Sequence, residues 1–270
     1  LASELEQLRL DCIPWIREAG IIARDRMHTA IARRKADHSL VTDGDQAVQD
    51  FLMDQIARRF PGDAVISEET QSDPARHASV AQASRCWVID PIDGTRNYVR
   101  RVPMFTVSVG LMIDGSPRVG WVYNPMTDDM YSASEGGGAW LNDSPMHAAD
   151  TPSAGELFVA VPSGREEPLP RAVHNWIDRL VQRATGSTAL NMALVASGAL
   201  DAAFGAKCRL WDIAAGVIIC QEAGAAVTDH RGNSYFPMDL ASYQNGPMPF
   251  LVARPALQQQ LRDELQANGQ

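Results

Sequence analysis

Trp87-Val88-Ile89-Asp90-Pro91-Ile92-Asp93-Gly94-Thr95 is the stretch on which the reading of this 270-residue chain turns. Its first three residues are an apolar run of strand type, and the Asp, Pro and Gly that follow mark the exit from that strand. Two carboxylates three residues apart repel each other unless something cationic sits between them, so bound metal is the simplest resolution. Gly94 and Thr95 open what reads as a helix start, continued by Arg96, Tyr98 and Val99, and helix N-termini attract phosphate. Metal plus phosphate is the chemistry implied. A plain turn, with an aspartate capping the next helix, is the competing reading.

Working outward, residues 64–67 form a second short strand candidate that pairs with 86–89 and delivers Glu68 and Glu69 to its exit. Val48, Phe51, Leu52, Ile56 and Phe60 predict a helix before it, stopped by Pro61-Gly62. Ser3-Glu4-Leu5-Glu6 is a capping box for an earlier helix through Leu5, Leu8, Cys12, Trp15, Ala19, Ile22 and Ala23, with Pro14 either kinking it or beginning a second segment. From Thr106 the pattern is a meander: strands at 106–113, 118–123 and 130–134 separated by Asp114-Gly115 and Asn124-Pro125, then a glycine-rich hairpin or bulge at 135–142. Past the segment 150–155, strands (158–161, 200–204, 227–229, 250–253) alternate with helices (173–180, 189–196, 213–223). The fold class expected is α+β in two lobes. Residues 1–150 are read as helices on an antiparallel sheet carrying most metal ligands, and 151–270 as a mixed α/β lobe with Asp212 and the substrate pocket.

Charge narrows the function. The net charge is −9, from 24 Lys plus Arg against 33 Asp plus Glu, so there is no general footprint for nucleic acid or an anionic membrane. An acidic chain that binds phosphate esters needs local positive charge, which divalent metals supply. No stretch approaches the roughly 20 apolar residues of a membrane span, and residues 1–9 lack the apolar core of a signal peptide. Cys12, Cys86, Cys208 and Cys220 have neither close pairing nor zinc spacing, which reads as reduced buried thiols in the cytoplasm. Three strand or helix ends expose acids. If they converge, Glu68, Asp90, Asp93 and Asp212 make an oxygen-only site suited to Mg²⁺ or Mn²⁺.

Four segments carry a resemblance: Lys35-Ala36-Asp37 with Val41-Thr42-Asp43-Gly44-Asp45; Ile66-Ser67-Glu68-Glu69-Thr70; the stretch 87–95; and Leu210-Trp211-Asp212-Ile213-Ala214-Ala215-Gly216 with Glu222-Ala223-Gly224-Ala225. In order and approximate spacing they resemble the inositol monophosphatase family of metal-dependent, lithium-sensitive phosphatases, with weaker similarity from about residue 5 to 255. The resemblance implies a layered αβαβα sandwich, commonly a homodimer, and two or three Mg²⁺ per site. It implies that Glu68, Asp90 and the Ile92 carbonyl bind one metal, that Asp90, Asp93 and Asp212 bind a second, and that a weaker third also involves Glu68. Asp45 and Thr95 would form a hydrogen-bonded pair that, beside Glu68, polarises the attacking water. The Gly94 and Thr95 amides would hold phosphate, with Asp93 beside the departing oxygen and no covalent phosphoenzyme.

Gly186, Ser187, Thr188 and Ala189 resemble the family's substrate loop, so Ser187 and Thr188 are expected to bond substrate hydroxyls, unless they only cap a helix. Arg209 and Arg96 either face a second anionic group or lie solvated on the surface. Gly205 stands where inositol-specific members carry a glutamate. The resulting expectation is a phosphomonoesterase acting on a small phosphorylated metabolite, by default inositol-1-phosphate. Histidinol phosphate, fructose 1,6-bisphosphate and 3′-phosphoadenosine nucleotides stay open, as does a regulatory binding protein that retains the fold.

Overall fold

Apolar residues at helical spacing make Ala2–Arg26 (α1) one uninterrupted helix in the computed structural model, which describes residues 2–35, 38–70, 80, 83–148, 155–162 and 169–267. Pro14 neither ends the helix nor begins a second segment. It sits on the exposed side, and the Leu10 carbonyl that loses its donor belongs to an exposed residue and can be met by water. A small hairpin follows, Ala32–Arg34 (β1) against Leu40–Thr42 (β2), before the helix Asp43–Arg59 (α2). Ala36 and Asp37 of the motif lie outside the described residues.

The larger sheet runs in the order β3-β4-β5-β6-β7-β8-β9. Its strands are Ala64–Ser67 (β3), Arg85–Asp93 (β4), Thr106–Ile113 (β5), Ser116–Asn124 (β6), Asp129–Ser134 (β7), Gly138–Leu141 (β8) and Ser144–Met146 (β9), with the short helix Thr95–Arg100 (α3) after β4. The meander is as expected from the turn residues. One edge differs from the all-antiparallel expectation: β3 and β4 are parallel, with Ala64 opposite Cys86 and Ser67 opposite Ile89.

The second sheet has the order β11-β10-β12-β14-β13. It is built from Phe158–Ala160 (β10), Val181–Arg183 (β11), Ala202–Gly205 (β12), Ala226–Thr228 (β13) and Phe250–Ala253 (β14), interleaved with Arg171–Arg179 (α4), Thr188–Ala196 (α5), Leu210–Glu222 (α6) and Pro255–Ala267 (α7). The boundary drawn at residue 150 falls in 149–154, outside the described residues.

Strand parity sets the layers. On β4 and β5, Trp87, Ile89, Val107, Val109 and Leu111 face α1 and α2, where Trp87 stacks on Trp121 at 5.9 Å. Val88 and Met112 face the opposite way, into the core built on α5 and α6. That helix pair is sandwiched between the sheets, while α4 and α7 cover the outer face of the second sheet through Val173, Trp176, Leu257 and Leu261. The result is helix, sheet, helix, sheet, helix. Between two sheets, α6 is apolar almost all round. Each of its buried aliphatic side chains stabilises by ~1.5–3 kcal/mol, far more than the helix propensity that its Ile and Val forfeit.

Close contact between α6 and the first sheet depends on two glycines paired across β5 and β6, Gly110 and Gly120. A Cβ on Gly120 would stand 2.7 Å from the Ala215 carbonyl oxygen, and one on Gly110 would stand 3.1 Å from the Ala215 nitrogen. Two missing side chains therefore let the helix lie directly on the strands, and its first turn carries Asp212.

Candidate active site

Asp90 and Asp93 are three residues apart on one strand, a spacing that ordinarily points two side chains to opposite faces. The register resolves this: Asp90 pairs with Ser108 but Asp93 pairs with Thr106, so β4 carries one extra residue. That β-bulge turns both carboxylates toward α6. Pro91, which has no N–H for the ladder, lies within it. Gly94 then turns the chain at a φ of 96°, a conformation that side chains disfavour, and starts α3.

Asp90, Asp93 and Asp212 each offer an oxygen within 4.8 Å of the others. Each of the three carboxylates also accepts hydrogen bonds from protein donors. Asp90 Oδ1 accepts from the Ile92 N–H at 3.1 Å, and Asp212 Oδ2 accepts from the Arg209 N–H at 2.6 Å. Asp93 Oδ2 accepts from the Ser187 hydroxyl at 2.5 Å and the Ala189 N–H at 2.6 Å, so it caps α5 as well as facing the cluster. At its other end α6 is pinned by Glu222, which accepts from the Gly136 and Gly138 N–H groups at 3.0 Å each.

This much buried negative charge is costly. Burial first, then Glu68, Asp93 and Asp212, raise the Asp90 pKa well above the carboxylate range. Burial and then Asp93 do the same to Asp212. Burial pushes Asp93 only to about 6, because the Ser187 hydroxyl and the α5 amides oppose it. Asp45, fully buried, is also pushed to about 6, and its Oδ1 has no hydrogen-bond partner. A divalent cation fits these observations: an all-oxygen donor set, mutually repelling carboxylates, and a buried oxygen left unpaired. Oxygen ligands of this kind suit Mg²⁺ or Mn²⁺.

Other expected positions fall differently. Glu68 stands close enough to raise Asp90 and Asp93 electrostatically. It lies outside the cluster of three, however, and its carboxylate is 2.8 Å from Lys35 Nζ. The same ammonium is 2.6 Å from Glu69, whose pKa burial and Glu68 nevertheless push to about 7. The Asp45–Thr95 hydrogen bond is not formed. Thr42 is the N-cap of α2, so Asp45, three residues on, completes a capping box with Thr42 N–H at 2.8 Å and its hydroxyl at 2.6 Å. Thr95 Oγ1 donates instead to the Ile92 carbonyl at 3.1 Å.

Ser187 fulfils the capping alternative. The residue is 1% exposed, and its hydroxyl donates to Asp93 and accepts from the Leu190 N–H at 3.2 Å. The N-cap position of α5 demands that side-chain oxygen.

Next to Asp212 a cavity of about 200 Å³ opens, lined in part by Gly186, Thr188, Asn191, Gly205, Lys207 and Phe250. Arg209, expected to face substrate, is not among its lining residues, and only its backbone N–H is placed in the site, on Asp212. Lys207, Asn191, Phe250 and Lys35 were passed over in the sequence. Lys35 sits in a quoted motif and Lys207 two residues past Gly205, but nothing local marks either as facing the site.

Known proteins resemble the chain over most of its length. The model of the inositol monophosphatase family matches residues 5–266. Inositol monophosphatase 3 of Solanum lycopersicum is 34% identical over 243 residues, covering 86% of this chain and 89% of that protein. Nus factor SuhB of Salmonella typhimurium strain LT2 is 33% identical over 213 residues, covering 77% and 78%. The solved IMPase of Thermotoga maritima superposes with a TM-score of 0.82 at 27% identity, covering 96% of this chain and 97% of that one.

Proposed function

The chain belongs to the inositol monophosphatase family, and on that premise we propose that it hydrolyses the phosphate monoester of a small alcohol, with inositol-1-phosphate as the reference substrate. Membership makes it a phosphatase of a metal-dependent family; the substrate and the residue roles are our reading. The observation that carries it is the oxygen-only group of the buried Asp90 and Asp93 with the half-buried Asp212, beside a cavity of about 200 Å³.

Asp90, Asp93 and Asp212 would hold Mg²⁺, with Glu68 and the Ile92 carbonyl as further ligands and Mn²⁺ as a substitute. When bound, the metal supplies positive charge to phosphoryl oxygens and acidifies nearby water. Asp45 accepts the proton of the attacking water at its unpaired Oδ1, and a pKa near 6 leaves it ionised at neutral pH. Thr95, fixed by the Ile92 carbonyl, orients that water, and the Gly94 and Thr95 amides bond the phosphate. Asp93, held by Ser187 and Ala189, stands beside the departing oxygen, and Gly186 and Thr188 border the alcohol.

Phosphate release from inositol-1-phosphate in Mg²⁺, inhibited by Li⁺ and lost in Asp93→Asn, is the expected result. Absence of release from every ester of a panel that adds histidinol phosphate, fructose 1,6-bisphosphate and 3′-phosphoadenosine 5′-phosphate contradicts it. A second reading, a binding protein that retains the fold, draws on the similarity to a protein named Nus factor SuhB. Partner capture that survives in Asp93→Asn, with no turnover in the unaltered chain, would favour it. For assembly we propose a homodimer on the family resemblance alone; a monomeric mass by light scattering contradicts it.

A further inference from the structure

Resting on the reading of Asp90, Asp93 and Asp212 as metal ligands, we infer that Ser108 is a positioning residue for Asp90: its hydroxyl donates to the Asp90 carboxylate in the metal-bound protein and stands unpaired without metal. Five serines are buried among the described residues, Ser67, Ser108, Ser132, Ser134 and Ser187. Four of them are hydrogen-bonded through the side chain: Ser67 donates to Gln49, Ser132 accepts from Arg9, Ser134 donates to Glu6 and Ser187 donates to Asp93. Ser108 is 1% exposed and its hydroxyl has no partner among the described residues. Buried hydroxyls are seldom left so, because the bonds given up to water are then not replaced.

Strand register places this hydroxyl. Val107 and Val109 on either side of it face α1 and α2, so Ser108 faces the layer of α5 and α6. Its neighbours on that face border the site: the Thr106 hydroxyl is 3.5 Å from that of Ser187, and a Cβ on Gly110 would stand 3.1 Å from the Ala215 nitrogen of α6. Across the ladder Ser108 pairs with Asp90, whose carboxylate is turned to the same side. Directly opposed residues hold their Cβ atoms about 4.5–5.5 Å apart, a gap that rotation of a serine and an aspartate side chain can close. Asp93 is held from another element, by Ser187 and Ala189, whereas the N–H that Asp90 accepts from, that of Ile92, lies two residues on in its own bulge. A donor on the neighbouring strand fixes the direction of the Asp90 carboxylate, as partners behind metal ligands do. Because the bond belongs to the metal-bound state, removing the Ser108 oxygen weakens metal binding and spares the metal-free fold.

The test is Ser108→Ala, with Mn²⁺ as the probe. Titration calorimetry should give a Kd about 10–100-fold weaker than that of the unaltered protein, the range for lost support behind a metal ligand. Urea unfolding separates this from a packing role. In chelator the variant should match or exceed the unaltered protein in stability, since an unpaired hydroxyl has gone, and in excess Mn²⁺ it should be the less stable of the two. A Kd within about threefold of the unaltered value, or a loss of stability equal in chelator and in Mn²⁺, overturns the inference. If the alanine variant does not fold, Ser108→Cys, which puts a weaker donor in nearly the same space, is judged by the same limit. Mn²⁺ binding by an unaltered protein that releases phosphate from no ester overturns the phosphatase reading and leaves Ser108 to be decided by the Kd ratio. No Mn²⁺ binding by the unaltered protein overturns the metal reading and this inference together.

Discussion

Replacing Asp45 by asparagine should stabilise the metal-free protein while removing its activity. Asp45 is fully buried, with Oδ2 held by the Thr42 N–H and hydroxyl and Oδ1 unpaired. Burial raises its pKa from 3.8 to about 6. A raised folded value means that the native state binds the proton more tightly than the unfolded chain does, so stability from this group is complete below about pH 4 and is lost as pH rises through 6. The change from 3.8 to about 6 corresponds to roughly 3 kcal/mol lost by pH 8. Asparagine keeps an oxygen for the Thr42 donors and carries no charge. Urea unfolding in chelator should therefore give matching stabilities near pH 4. The variant's advantage should then grow with pH to ~3 kcal/mol at pH 8. With Mg²⁺ present, its phosphate release should fall by about 100-fold or more, the range of a lost general base. A stability difference that is flat across this pH range, or a variant less stable at pH 8, would refute the reasoning, because the cost would then not lie in the buried charge.

Three further outcomes follow from the same geometry. Ser187→Ala removes the 2.5 Å donor to Asp93 and the cap of α5, so it should cost about 2–3 kcal/mol in urea unfolding and weaken Mn²⁺ binding by calorimetry, with Ser187→Thr restoring both. Unchanged Mn²⁺ affinity in the alanine variant would show that Ser187 does not orient Asp93. Gly120→Ala drives a Cβ to 2.6 Å from Ile218 Cγ2 and should lower stability by about 1–3 kcal/mol together with kcat, through the Asp212 that α6 carries. Lys35→Met in chelator should destabilise more at pH 8 than at pH 5: the pKa of Glu69, already about 7 with Lys35 beside it, rises further, and stability is lost as pH climbs through it. An equal loss at both pH values would count against that pairing.

Much of the fold was legible because it rests on periodicity and turn chemistry. Alternation along 106–134 and the glycine and proline turns gave the meander, and the apolar run before Asp90 gave β4. That Glu68, Asp90, Asp93 and Asp212 stand at element ends was legible, and of these four the structure brings Asp90, Asp93 and Asp212 together. How Asp93 joins Asp90 on one face was not, since the bulge appears only in the pairing with Ser108 and Thr106. The C-terminal helix α7 was overlooked although Leu257, Leu261 and Leu265 repeat every fourth residue. Hydroxyl partners were the least legible feature. Thr42 and Ser187 take Asp45 and Asp93 because they stand at helix N-caps, and a cap whose oxygen also serves a distant carboxylate looks, in sequence, like any other cap. The two contacts of Lys35 span more than 30 residues and follow from the β1–β2 hairpin folding toward the site, which no local pattern encodes.

The measurement that tests the central claim most directly is anomalous diffraction from crystals grown with Mn²⁺. The account requires an anomalous peak bonded to Asp90, Asp93 and Asp212, and its loss in Asp212→Asn crystals under the same conditions. No peak among these three carboxylates at saturating Mn²⁺, in crystals of a protein that still releases phosphate, would contradict it.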